Sequence, residues 1–141
     1  MSTVLVYSDD PRVRERVLLA VGRRPDPEME PIDWVEAGDA GTVTRLVDAG
    51  GIDVCVLDGE AAPTGGMGIS RSLKNEVPNC PLMLLLVARR DDRWLARWSL
   101  ADAALKHPAD PVDLADAVVR LIKLSKDRSP VVASGSRPRR R

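Results

Sequence analysis

Phenylalanine is absent from this chain, and aromatic residues make up only 3% of its 141 positions. Its core must therefore be aliphatic, and flavin-stacking aromatics are not found where a small flavodoxin-like enzyme or cofactor carrier would need them. There are two cysteines, Cys55 and Cys80, in neither the number nor the spacing of a zinc site or disulfide framework. Cys55 lies in an apolar run, so both are expected as buried free thiols in a reducing cytosol. No apolar run approaches the ~18 residues of a membrane span. Met1 to Tyr7 has the pattern of a strand, not of a charged segment followed by a hydrophobic one, which argues against a signal peptide. The glycine run after Asp58, Gly65-Gly66-Met67-Gly68, lacks both G-x-G-x-x-G spacing and a Lys-Ser/Thr ending, so it makes a poor nucleotide loop. It reads instead as a tight backbone turn needing positive φ. With neither phosphate loop nor flavin site, an enzyme is not expected.

What is present is a soluble globular composition, 44% hydrophobic and 30% charged, at a length that suits one domain with a sizeable core. The formal net charge is zero but unevenly placed. Residues 127–141 hold five arginines and one acid, leaving 16 bases against 20 acids in the remainder, a body of net −4. The division is thus a folded domain over residues 1–126 and a basic tail over 127–141, with no regular structure expected from Ser129 on. Such a tail is either a solvated end or a contact for something acidic. Nucleic acid is not expected as the partner, because the body is acidic and no helix-turn-helix segment follows it.

Read in order, the chain alternates short apolar runs with helical spacing. Val4–Tyr7 is followed by Asp9-Asp10-Pro11, carboxylates to cap a helix and a proline for its first turn. Val13, Val17, Leu18 and Val21 then keep helical spacing, and Gly22 is the expected stop. Ile32–Ala37 reads as a second strand, followed by a helix with Val43, Leu46 and Val47 on one face and Gly50-Gly51 at its end. Ile52–Leu57 is the third strand, and a helix of roughly Ile69 to Glu76 follows. Leu82–Val87 has no polar alternation, as in a strand covered on both faces. A helix opened by Asp91-Asp92 carries Trp94, Leu95 and Trp98. Ala103–Lys106 is a fifth strand, and Asp110-Pro111 opens the last helix. Five βα units imply a flavodoxin-like α/β/α sandwich whose five-stranded parallel sheet has the order 2-1-3-4-5. In that order the first and third strands are neighbours. Their carboxyl ends, Ser8-Asp9-Asp10 and Asp58, are expected to converge on one crevice.

Over Val4 to about Leu124 the sequence resembles a response-regulator receiver domain. The resemblance is carried by VLVYSDDPRVRERV, VEAGDAGTVTRLVDAGGIDVCVLDGE and HPADPVDLADAVVRLI. It implies a phosphoryl-accepting aspartate at Asp58 and a Mg²⁺ site from Asp9, Asp58 and the backbone carbonyl of Glu60. A carboxylate nucleophile needs a cation to neutralise the incoming phosphate oxygens. Several positions depart from that pattern. Ser8 stands where the family has the first acid of its pair, which weakens the metal site, with Asp10 a partial substitute. The hydroxyl that ends strand four is matched by Leu86 or Val87, neither of which can donate. The clamp lysine before proline is matched by His107, with Lys106 one step earlier and so on the opposite face of the strand. The aromatic switch is matched by Ala104, and the loop carrying Pro63 is longer than the family's spacing. The bottom-up alternative for Asp58 is a cap that accepts backbone N–H bonds from the glycine-rich loop.

These departures favour a degenerate, stand-alone receiver that docks on a protein partner. Its contact residues are expected to be Trp94 and Trp98, on the helix between strands four and five, together with Arg137, Arg139, Arg140 and Arg141. Trp94 and Trp98 can equally serve as sheet packing. The alternative is a working receiver phosphorylated on Asp58 by a histidine kinase or small phosphodonor. The resemblance extends to the stand-alone receivers of mycobacteria and related actinobacteria, and it implies the type I NADH dehydrogenase (complex I) as a partner. The protein would then be cytoplasmic, peripheral at the inner membrane through that complex, and not inserted in the bilayer.

Overall fold

The structure, a computed structural model, describes residues 1–61, 65–88, 99–106 and 108–133, with side chains through Asp127. Its elements run β1 (Ser2–Tyr7), α1 (Pro11–Val21), β2 (Ile32–Ala37), α2 (Ala40–Ala49), β3 (Val54–Asp58), α3 (Gly66–Glu76), β4 (Leu82–Val87), β5 (Ala103–Lys106) and α4 (Pro111–Ala133). The five strands form one parallel sheet in the order β2-β1-β3-β4-β5, as the alternation of elements requires. Pro63, the Asp91-Asp92 helix with Trp94 and Trp98, His107, and Arg137, Arg139, Arg140 and Arg141 lie outside the described residues.

Strand alternation divides the core into two layers. Val4, Val6, Val54, Val56, Leu84 and Leu86 face α1 and α4, meeting Val17, Val21, Val118 and Leu121. Leu5, Tyr7, Cys55, Leu57, Met83 and Leu85 face α2 and α3, meeting Val43, Val47, Ile69 and Leu73. Every residue of β4 is buried, the mark of a strand covered on both faces. Cys55 and Cys80 are buried free thiols. Trp34 lies on the α1 side, where its indole Nε1 donates to the Gly22 carbonyl at 2.9 Å, fastening the end of α1 to β2.

The helix starts follow from their caps. Asp10 accepts from the Arg12 N–H at 2.9 Å with Pro11 at the first helical position, and Asp39 accepts from the Thr42 N–H at 2.7 Å. Asp110 accepts from the Val112 and Asp113 N–H groups at the start of α4. Gly50 and Gly51, at φ of 84° and 90°, end α2 where side chains are disfavoured.

β3 runs Val54–Asp58 in place of the expected Ile52–Leu57, and two helix boundaries also differ from expectation. First, α3 begins at Gly66, three residues before Ile69. A Cβ on Gly66 would sit 2.8 Å from the Leu57 Cβ and 2.9 Å from the Asp58 carbonyl oxygen, and one on Gly65 would sit 2.8 Å from the Gly59 carbonyl oxygen. The helix start is pressed against the end of β3, so the run needs glycine for close approach. It does not need positive φ: Gly22, Gly50 and Gly51 are the positive-φ glycines among the described residues. Second, α4 continues to Ala133, so residues 129–133, expected to be irregular, have helical backbone. Extending an existing helix adds a hydrogen bond per residue without a new nucleation cost. No described helix is long and apolar enough to cross a membrane.

Candidate functional site

The carboxyl ends of β1 and β3 meet as the topology demands. Tyr7 pairs in register with Leu57, so the next residues, Ser8 and Asp58, emerge side by side at the sheet edge. By strand parity Ser8 follows Val4 and Val6, and Asp58 follows Val54 and Val56, so both project to the α1 and α4 side. Asp58 is 5% exposed and Ser8 is fully buried.

Burying a carboxylate is costly unless its oxygens are hydrogen-bonded. Both oxygens of Asp58 are. The Ser8 hydroxyl donates to Oδ2 at 2.8 Å, and the Glu60 backbone N–H donates to Oδ1 at 2.8 Å. The Ala61 N–H reaches the Asp58 backbone carbonyl at 3.3 Å. The capping role read for Asp58 is thus present, with Ser8 as its side-chain partner. The Ser8 oxygen also accepts from the Asp10 N–H at 3.0 Å, which fixes the hydroxyl in place. The direction of its proton follows from its two partners: the Asp10 N–H can only donate, and the ionised Asp58 carboxylate can only accept.

Arg14 braces the same corner from α1. Its Nη1 donates to the Ser8 carbonyl at 2.6 Å and its Nε pairs with Glu36 Oε1 at 3.0 Å, tying the ends of β1 and β2 together. Asp9 is exposed. Asp10 is committed to the α1 cap and to Arg12, and its hydrogen bonds with Arg12 hold its carboxyl below the usual carboxylate range. Tyr7, 1% exposed, has its phenol pushed above its ordinary value, chiefly by burial and further by the charges of Asp9, Asp58 and Asp39. Burial likewise pushes the Cys55 thiol up, so it is an inert core group and not a nucleophile.

On the other side of Asp58 the wall is apolar. Asp58 pairs in register with Leu86, and Leu86 with Leu105. Of the two residues matching the family's hydroxyl, Leu86 is therefore the neighbour on the same face, at 2% exposure, while Val87 points into the other layer. Burying a leucine there contributes about 1.5–3 kcal/mol of hydrophobic stabilisation and removes any donor to a phosphoryl oxygen. Lys106 is exposed and pairs with Val87, so by parity it is set toward the opposite face from Asp58. Ala104, at the aromatic switch position, packs on the α2 and α3 layer.

The donors a Mg²⁺ ion would have are Asp9, Asp58 and the Glu60 carbonyl. They fit that ion poorly. The Ser8 hydroxyl stands where another anionic oxygen would serve the cation, and it points its proton at Asp58. No group of three or more His, Cys, Asp or Glu side chains able to hold a metal occurs among the described residues.

Sequence reading singled out Asp58, Asp9 and the altered Ser8. It missed Ser8 as a donor, and it missed Arg14 and Tyr7. The parity of strands one and three carried a signal for the first of these, since it sets Ser8 and Asp58 on one face.

No family model matches the chain. Two proteins of Mycobacterium tuberculosis, from strains CDC 1551 / Oshkosh and ATCC 25618 / H37Rv and each named an uncharacterized response regulatory protein, are 49% identical to it over 120 residues. That alignment spans 85% of this chain and 90% of each relative. Among solved structures, the receiver domain of the Francisella response regulator 1452 superposes with a TM-score of 0.73 at 21% identity, covering 89% of this chain and 99% of that one. The Thermotoga maritima response regulator TrrA, solved in complex with Mg²⁺ and BeF, gives 0.69 at 23% identity, over 86% and 99%. A doubly covered parallel sheet with an aspartate closing its third strand, and relatives this similar over nearly their whole length, lead to one conclusion: the chain belongs to the response-regulator receiver family.

Proposed function

We propose that this chain is a degenerate receiver that acts by docking on a protein partner and does not respond to phosphorylation of Asp58. The observation that carries the reading is the Ser8 hydroxyl bonded to Asp58 Oδ2 at 2.8 Å, where the family has an anionic cation ligand. A nucleophilic carboxylate needs compensation for the charge that the incoming phosphoryl group brings. Asp58 has both oxygens engaged by neutral donors, and Leu86 beside it in place of a hydroxyl. The fold retains the acceptor's position while the surroundings support a capping carboxylate.

A receiver without phosphotransfer passes its signal through contact. The surfaces for it are Trp94 and Trp98, suited to anchor a partner, and Arg137, Arg139, Arg140 and Arg141, suited to an acidic one. The partner we infer is the type I NADH dehydrogenase, on the likeness to stand-alone mycobacterial receivers alone. The protein would then reside at the inner membrane through that complex.

The test has two arms. Wild-type protein incubated with Mg²⁺ and acetyl phosphate should show no mass adduct that Asp58→Asn abolishes. Ser8→Asp, alone and with Leu86→Thr, should gain Mg²⁺ affinity and then an Asp58-dependent adduct. A wild-type adduct that Asp58→Asn removes would establish the working phosphoacceptor instead. For docking, the full chain should co-purify with the NADH dehydrogenase from solubilised membranes, and Trp94→Ala with Trp98→Ala should weaken it. If the complex is never retained, the partner assignment fails.

A further inference from the structure

Beneath Leu86 lies a cavity of about 110 Å³ between α1, β4 and the start of α4. Its inner walls are the buried side chains of Val13, Val17, Leu86 and Leu114, and its mouth is formed by the exposed Pro108 and Arg16. The burial gradient makes it a short apolar shaft open at one end. A volume of this size holds about four groups the size of a water molecule or methylene. With no polar inner wall, it offers water none of the two to four partners that make a buried site worth occupying.

The mouth is chemically distinct from the shaft. Arg16 makes no hydrogen bond or ion pair among the described residues, and the carboxylate that feels its charge, Asp10, is hydrogen-bonded to Arg12 instead, while Arg14 is committed to Ser8 and Glu36. The other carboxylate near the mouth, Asp110, is spent on the Val112 and Asp113 N–H groups. An apolar shaft capped by one available guanidinium is the arrangement of a binding site on a small scale: apolar walls for affinity, one charged group for orientation. Arg prefers carboxylates, which it meets with paired N–H bonds.

We propose that this cavity binds a short-chain aliphatic carboxylate of about four carbons, its chain on Leu86 and its carboxylate on Arg16. The site is separate from the Asp58 chemistry and does not depend on whether Asp58 is phosphorylated. It does abut that corner, because Leu86 is both the floor of the shaft and the register partner of Asp58. A bound ligand would stiffen the junction of β4, β5 and α4. A whole-protein partner is less favoured, since the shaft accepts one aliphatic chain and the available cation asks for a carboxylate right beside it.

The probe is sodium butanoate, titrated into the full chain while methyl and backbone resonances are followed by NMR. Saturable shifts are expected at Val13, Val17, Leu86 and Leu114, with a midpoint of about 1 mM for a ligand of this size. Butan-1-ol should bind about tenfold more weakly, and Arg16→Gln should weaken butanoate by a similar factor, the loss of a charge-assisted pair. Ala20→Leu, which fills the shaft from α1, should abolish the shifts while the spectrum keeps its dispersion. Shifts that rise linearly without saturation would overturn the proposal. So would butan-1-ol binding as tightly as butanoate, or a folded Ala20→Leu protein that binds as before.

Discussion

The only tyrosine of the chain is a reporter for the only buried aspartate among the described residues. Tyr7 and Asp58 end adjacent strands, and the Asp58 charge is one of the causes that raise the phenol, after burial and Asp9. The sign follows directly. A group whose folded-state value is raised contributes stability that is fully present below the unfolded value, about 10 for tyrosine, and lost as pH rises through the folded value. Absorbance titration of the phenolate should therefore give a midpoint above the ordinary one, and alkaline unfolding should track it. Asp58→Asn removes one of three like charges, so it should move the midpoint down while leaving it raised, because burial is the larger cause. A midpoint indifferent to Asp58→Asn would mean that the Asp58 charge is not felt at the phenol across the strand ends. At this scale the sequence was informative about losses and silent about replacements. That Ser8 removes a carboxylate is plain from its identity. That its hydroxyl turns onto Asp58, and that Arg14 holds the Ser8 carbonyl, depends on how two strand ends and a helix are placed together.

Elements were legible where period and caps agree. Asp10-Pro11, Asp39 and Asp110-Pro111 start three helices, and apolar period fixes their inward faces. The start of α3 was not legible, because glycine argues against helix on propensity while packing at that spot demands it. The three glycines at its start can be told apart by what a methyl group would meet. At Gly66 it would strike the Leu57 Cβ and the Asp58 backbone, neither of which can rotate away; at Gly68 nothing lies within 4 Å. Gly66→Ala should accordingly destabilise by about 1–3 kcal/mol, as overpacking does. Gly68→Ala should stabilise by about 0.5–1 kcal/mol, the ordinary helical preference for alanine. Urea melts of the two variants check this. Equal effects of the same sign would show that α3 does not press on the end of β3. Gly66→Ala should also disturb the Asp58 resonances, since the obstacle is its own carbonyl.

The topology of the whole molecule was legible because right-handed crossovers and five βα units leave few orders to choose from, and the uncovered edges, β2 and β5, are the two strands with the least buried side chains. What a sheet order cannot convey is where the proposed docking contact would lie, and there the charge distribution is the better guide. Residues 134–141 carry four arginines and no acid, so deleting them takes the chain from a formal charge of zero to −4. Among the described side chains of α4, which run through Asp127, the last buried ones are Leu121, Ile122 and Ser125. The deletion removes only Ser, Gly, Pro and Arg and no apolar side chain, so it should leave folding stability unchanged within about 0.5 kcal/mol. Its effect should fall on association. Arginines meeting an acidic surface in water are screened as the Debye length falls from about 10 Å at 0.1 M salt to 3 Å at 1 M. If the proposed docking on the NADH dehydrogenase holds, its retention by the full chain should weaken steeply with salt. Retention by the deletion variant should be low at every salt concentration and nearly flat, carried by apolar contacts alone. A variant retained as well as the full chain, with the same salt dependence, would remove the tail from the docking surface and leave Trp94 and Trp98 to account for it.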